Sequence, residues 1–165
     1  MKKLLALCAC CLLLTGCAHI IPSRKAAEGT VTEPPVLTVQ AGEMAVEAIK
    51  GNYTWEYDWG KGSSMKESVE IPSHTLERQE FIPTLATAEE TVTLSFSDAC
   101  DSFSVRCWSD EYWDQPEAQA EDVTAEGDTL DLLPSGYVYE VSAEWSSAQT
   151  HRGTVSYAFY AVVTE

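Results

Sequence analysis

The residues best placed to do chemistry in this 165-residue chain are its aromatics and its carboxylates. Tyr53, Trp55, Tyr57 and Trp59 occupy alternate positions of one stretch, with Thr54, Glu56 and Asp58 between them. A second group, Trp108, Tyr112 and Trp113, adjoins Ser109 to Asp131, a run with nine acids and no base that includes Asp110 and Asp114. Flat rings flanked by carboxylates suit the faces of sugars, the ring stacking on the C–H surface while Asp or Glu accepts from hydroxyls. The same rings can equally fill a core. Trp55 and Trp145 are expected inside, whereas Trp59, Trp108, Tyr112 and Trp113 lie nearer loops and fit either place. The expected ligand-binding set is therefore Trp59, Trp108, Tyr112 and Trp113 with Asp110 and Asp114.

Catalysis would need a nucleophile beside a base, a metal, or carboxylates with divergent pKa values. The histidines His19, His74 and His151 form no spaced pair, and neither His74 nor His151 sits in a nucleophile turn. Abundant carboxylates alone do not make a glycosidase pair, so no catalytic residue is assigned and a non-catalytic role is expected. The acidic run reads as a solvated loop. A calcium (Ca2+) site is the alternative, because hard cations take several oxygen ligands, but the Asp-x-Asp-x-Asp-Gly spacing of a dedicated loop is missing. No zinc site follows from Cys100 and Cys107 without a neighbouring histidine, and no cofactor is expected.

The chain starts with Lys2 and Lys3, continues with an apolar run from Leu4 to Leu14, and closes on Thr15, Gly16 and Cys17. That is the layout of a secretory signal peptide, and the run is shorter than the roughly 20 residues that span a bilayer. Leu14-Thr15-Gly16-Cys17 resembles the lipobox of bacterial lipoproteins. The resemblance implies cleavage after residue 16, diacylglycerol on the sulfur of Cys17, and stable attachment to the outer face of a membrane through its two acyl chains. The general layout resembles short lipoproteins of Gram-positive gut bacteria, which brings no catalytic residue with it.

Loss of residues 1–16 removes two bases and no acid, leaving eight basic residues against twenty-six acidic ones, a net charge of −18. A nucleic-acid partner is excluded, because binding phosphates requires a basic footprint. Expected partners are the membrane, through the anchor, and an envelope protein or glycan. Cys100 and Cys107 remain after cleavage, and an exported domain could pair them across a short loop. Alternatively Cys107, which alternates with Phe103 and Val105, is a small buried hydrophobe and Cys100 sits in a turn.

Elements able to position these residues are strands. Residues 18–35 lack periodicity and end in Pro34-Pro35, which reads as an extended tether with His19 solvated in it. From residue 36 onward short runs of β-branched and aromatic residues alternate with turn-forming ones. Strands are expected at Val36–Val39, Met44–Ile49, Tyr53–Trp59, Met65–Ile71, Thr91–Ser97, Phe103–Cys107, Tyr137–Ser146 and Val155–Val163. Turns are expected at Ala41-Gly42, Gly51-Asn52 and Gly60–Ser64, with the last two strands joined around Gln149 to Gly153. Helical evidence is confined to short turns near Ala86–Glu90 or Glu117–Asp122.

About eight or nine strands spaced at roughly ten residues describe an all-β, antiparallel sandwich in a single domain, residues 36–165. Leu132-Leu133-Pro134-Ser135-Gly136 ahead of Tyr137 and Tyr139 resembles the leucine, proline, glycine and tyrosine run of fibronectin type III and immunoglobulin-like domains. That resemblance implies an immunoglobulin-like sandwich with a tyrosine corner, although Leu132 to Tyr139 is one residue longer than the common fibronectin form.

Overall fold

A computed structural model describes residues 29–146 and 150–164; the signal segment, Cys17, His19 and Gln149 lie outside the described residues. Twelve strands form two sheets: β1 (Leu37–Ala41), β2 (Met44–Glu47), β3 (Ile49–Gly60), β4 (Ser63–Val69), β5 (Thr84–Thr87), β6 (Thr91–Phe96), β7 (Ser102–Ser109), β8 (Glu121–Val123), β9 (Ala125–Glu126), β10 (Thr129–Asp131), β11 (Gly136–Trp145) and β12 (His151–Val163). One sheet runs β2-β1-β6-β10-β9. The other runs β4-β3-β12-β11-β7-β8, with β5 lying parallel beside the end of β12.

Strands β6-β10-β9 on one sheet and β8-β7-β11-β12 on the other form one block of the sandwich. The first four strands enlarge it. β1 and β2 add to the edge at β6, and β3 and β4 add to the edge at β12. The described residues thus form an all-β sandwich whose first four strands widen both sheets.

Period-two alternation builds the core, because side chains on a strand point to opposite faces. Val105 and Cys107 on β7, Tyr139, Val141, Ala143 and Trp145 on β11, and Val155, Tyr157, Phe159 and Ala161 on β12 are all buried toward the five-stranded sheet's Leu37, Val39, Val92, Leu94 and Leu130. The β11–β12 hairpin is in register from Gly136↔Val162 to Trp145↔Gly153. Its cross-strand partners Tyr139 and Phe159 stack at 5.0 Å, nearly parallel. The Leu133 amide donates to the Tyr139 hydroxyl at 2.8 Å. This is the back-reaching hydrogen bond of a tyrosine corner, and it pins the crossing between β10 and β11.

Several expectations are corrected. The described residues form twelve strands rather than eight or nine, the additional ones, β5 and β8 to β10, being short. β5 replaces the helical turn expected near Ala86: Leu85 and Thr87 are buried and Thr84 and Ala86 exposed, the alternation of a strand. The other expected turn, Glu117–Asp122, gives way at its end to β8, and the acidic run contributes β8, β9 and β10 instead of one solvated loop. Among the described residues, helical structure is limited to three short 3-10 turns at Thr75–Glu77, Gln79–Phe81 and Asp110–Tyr112.

Gly51-Asn52 is not a reversal. Both residues face the single Ser156, a bulge inside the twelve-residue β3. A Cβ on Gly51 would collide with Ser156 Oγ, which is why glycine stands there.

The packed part also begins before residue 36. Pro34 and Pro35 are buried, and the carbonyls of Val31, Pro34 and Pro35 accept from Trp55 Nε1 (3.0 Å), Lys50 Nζ (2.6 Å) and Tyr157 Oη (2.7 Å). Cys100 and Cys107 are both free thiols. Cys107 is buried in mid-β7 and Cys100 precedes that strand. The five residue steps of extended chain from Ser102 to Cys107 already span ~17 Å, far beyond the roughly 7 Å between Cα atoms that a disulfide tolerates.

Candidate functional site

The alternating aromatics of β3 divide by depth. Trp55 and Tyr57 reach the core, whereas Tyr53 and Trp59 are half-buried. β4 pairs with the outer edge of β3, setting Met65 opposite Tyr57, Glu67 opposite Trp55 and Val69 opposite Tyr53. These three therefore share the aromatic face. Every residue of β4 is exposed, and the strand ends its sheet. Met65 is 42% and Val69 38% exposed.

Beneath this hairpin the strap of residues 30–35 crosses the inner faces of β3 and β12, held by two hydrogen bonds to β3 and one to Tyr157 on β12. Strap and hairpin enclose a depression of about 520 Å³ lined by Glu33, Pro34, Tyr53, Tyr57, Trp59 and Glu67, with Thr32 and Lys50 at its margin. Tyr57 and Trp59 pack at 5.8 Å, tilted. The Lys50 ammonium is held by the Pro34 carbonyl. Glu33 and Glu67 have no hydrogen-bond or ion-pair partner among the described residues. The result is an aromatic shelf rimmed by two open carboxylates and bordered by an unpaired strand edge.

The rest of the expected binding set does not join Trp59. β7 lies three strands from β3 in the sheet order, a lateral distance of ~14 Å. Trp108 is 2% exposed, so its expected ligand-binding role is corrected: the ring is in a second core on the outer face of the seven-stranded sheet, with Leu76, Ile82, Val138 and Ala158. Its Nε1 donates to the Ala118 carbonyl at 3.1 Å, His74 meets it edge-on at 5.3 Å, and the Arg106 guanidinium lies 5.0 Å from the ring centroid.

Trp113 packs on Tyr160 at 5.7 Å, and Tyr160 donates to Asp110 at 2.7 Å. Burial and that carboxylate push the Tyr160 phenol up to about 12. Glu140 accepts from Arg106 Nη2 at 2.6 Å and from the Thr75 hydroxyl, clamping the connection 72–83 to the sheet. Tyr112 is 42% exposed. Asp114 takes a left-handed backbone conformation (φ 60°) and donates its amide to the Leu76 carbonyl. These residues close two connections over half of a sheet face. The remaining half, with Asn52, Ser102, Ser104, Ser142 and Thr154, is exposed and mostly uncharged.

His151 lies at the start of β12 rather than in the connection expected around Gln149 to Gly153. It is 8% exposed, stacks on Trp55 at 5.3 Å, and Nε2 meets Asp98 Oδ2 at 2.8 Å, while Nδ1 meets the Thr150 hydroxyl at 3.2 Å. Asp98, His151 and Thr150 are in the order of an orienting acid, base and hydroxyl. The ring, however, is sandwiched against the core, and the pair ties the turn before β7 to the start of β12. The signal for its burial was legible: His151 extends backward the alternation of Gly153, Val155 and Tyr157. Among the described residues no group of three or more His, Cys, Asp or Glu side chains converges where a metal could be held, and no helix is long and apolar enough to cross a membrane.

Compared with protein-family models, curated proteins and solved structures, the chain gives no match. Its class rests on the sandwich itself.

Proposed function

We propose that this chain is a lipid-anchored, extracytoplasmic module that holds another envelope protein without catalysing a reaction, and that it does so at β4 and the aromatic shelf. The observation that carries this reading is the seven-residue edge strand β4, exposed along its whole length. An unpaired edge offers a row of amides and carbonyls to an incoming chain, and Met65 and Val69 add apolar surface beside it. The anchor follows from the lipobox resemblance and Cys17. A photocrosslinker at Met65 in intact cells is expected to yield one discrete protein adduct, absent when the same probe replaces Glu43 beside the β2 edge. Adducts of equal pattern from both positions, or none from Met65, would overturn the reading.

A second reading, a carbohydrate or cell-wall binding module, is favoured by the half-exposed rings of Tyr53 and Trp59. It requires that the protein be retained on purified cell wall or insoluble polysaccharide and that Trp59→Ala abolish retention while the fold persists. Retention unaffected by Trp59→Ala, or no retention, removes it.

A further inference from the structure

The shelf says what kind of protein segment would fit. We infer that β4 takes up an extended strand of a partner protein that carries a lysine or arginine at the position facing Glu67, the cation resting on the shelf. The inference rests on the partner-protein reading above and adds the partner's chemistry.

A self-pairing strand is a poor occupant. Antiparallel pairing of β4 with a second copy about its middle residue sets Lys66 opposite Lys66, and like charges directly opposite are destabilising. Two copies would also bring together chains that each carry net charge −16 even before any cleavage. Lys66 on the outer face is the kind of charged side chain that guards an edge against its own kind.

The inner face has the opposite character. Glu67 stands between Met65 and Val69 on one strand, opposite Trp55 and diagonal to Tyr53 and Tyr57. Glu33 reaches the same depression from the strap. Ring faces attract cations, and the attraction grows as the cation loses water. Unpartnered carboxylates supply the countercharge, and the one ammonium at the margin is already engaged by the Pro34 carbonyl. An incoming strand with apolar residues two places either side of its cation would cover Met65 and Val69, since same-face positions repeat every second residue. The ordered strap fixes the shelf's floor, so little of it must rearrange on binding.

The probes are two seven-residue peptides of alternating valine and threonine, one with arginine and one with glutamate at the centre, titrated into the full chain in detergent at low salt. Intrinsic tryptophan fluorescence and β4 amide resonances are the readouts. The arginine peptide is expected to bind about tenfold more tightly than the glutamate peptide, with shifts confined to β4, Tyr53 and Trp59. Glu67→Gln, an exposed and isosteric change, is expected to remove most of that ratio, and the same arginine peptide N-methylated on alternate amides is expected not to bind.

Equal binding of the two peptides, or a preference that survives Glu67→Gln, overturns the inference. So does failure of the arginine peptide to bind. If that failure accompanies a discrete adduct from Met65, the partner-protein reading stands and its cationic chemistry falls. If it accompanies no adduct, both fall.

Discussion

Replacing Tyr139 by phenylalanine isolates one hydrogen bond. The ring is fully buried and stacked on Phe159, and phenylalanine keeps that packing. What is lost is the acceptor for the Leu133 amide, 2.8 Å away. Leaving a buried donor unpaired costs about 1–3 kcal/mol, and because Leu133 is only half-buried water recovers part of it, so about 1–2 kcal/mol is expected. For a domain of this size that lowers the melting temperature by roughly 3–8 °C. Urea unfolding followed by tryptophan fluorescence is the direct assay: the midpoint should fall while the m-value stays constant, since the surface exposed on unfolding is unchanged. Tyr139→Leu should cost distinctly more, because the stacking goes as well. An unchanged midpoint for Tyr139→Phe would mean that the hydroxyl does not hold the β10–β11 crossing. A changed m-value would mean that the substitution altered more than one bond.

Other consequences follow from the same packing. Burial pushes the Cys107 thiol up to about 11 and also raises Cys100. Cys107 should therefore resist alkylation at neutral pH until the chain unfolds, as mass mapping of a labelled sample would show, and reductant should leave the unfolding midpoint where it is. Trp108→Ala should cost about 3–5 kcal/mol and should speed amide exchange in residues 72–83 and 110–120 more than in the β11–β12 hairpin; uniform loss of protection would contradict a separate second core. Tyr139, Tyr157 and Tyr160 all ionise above the ordinary phenol range, burial being the leading cause, with Tyr160 at about 12. The unfolded chain releases these protons first, so their contribution is whole below about pH 10 and is lost as pH climbs toward the folded values. Denaturation midpoints should decline above pH 10, and a flat profile to pH 12 would refute it.

The sandwich was legible because its longest strands alternate cleanly. Tyr137 to Trp145 and Val155 to Val163 announced the central hairpin, and Leu132 to Tyr139 announced the tyrosine corner. What stayed hidden had weak local signal. β5 has four residues and β9 two, too few for a period to show. Gly51-Asn52 offers the same composition to a turn as to a bulge, and only the neighbouring strand decides between them. The strap at Val31–Pro35 has no periodicity because it packs through backbone carbonyls.

The candidate site was legible in part for a related reason. Alternation correctly set Tyr53, Trp55, Tyr57 and Trp59 on one face, but whether a ring is covered depends on how far the opposite sheet extends. Trp108 was obscured because it is buried on the outer face of its sheet, under connections 72–83 and 110–120 that a strand pattern read as solvent. Glu67 drew no attention within an exposed strand, and its place opposite Trp55 emerges only from register.

The most direct test of binding at the β4 edge is amide hydrogen exchange of the full chain in complex with the protein crosslinked through Met65, compared with the chain alone. Strand addition should slow exchange at alternate amides of Ser63–Val69, the ones directed away from β3, and leave β2, β8 and the acidic connection unchanged. Protection confined to residues 109–131, or none in β4, would contradict the account.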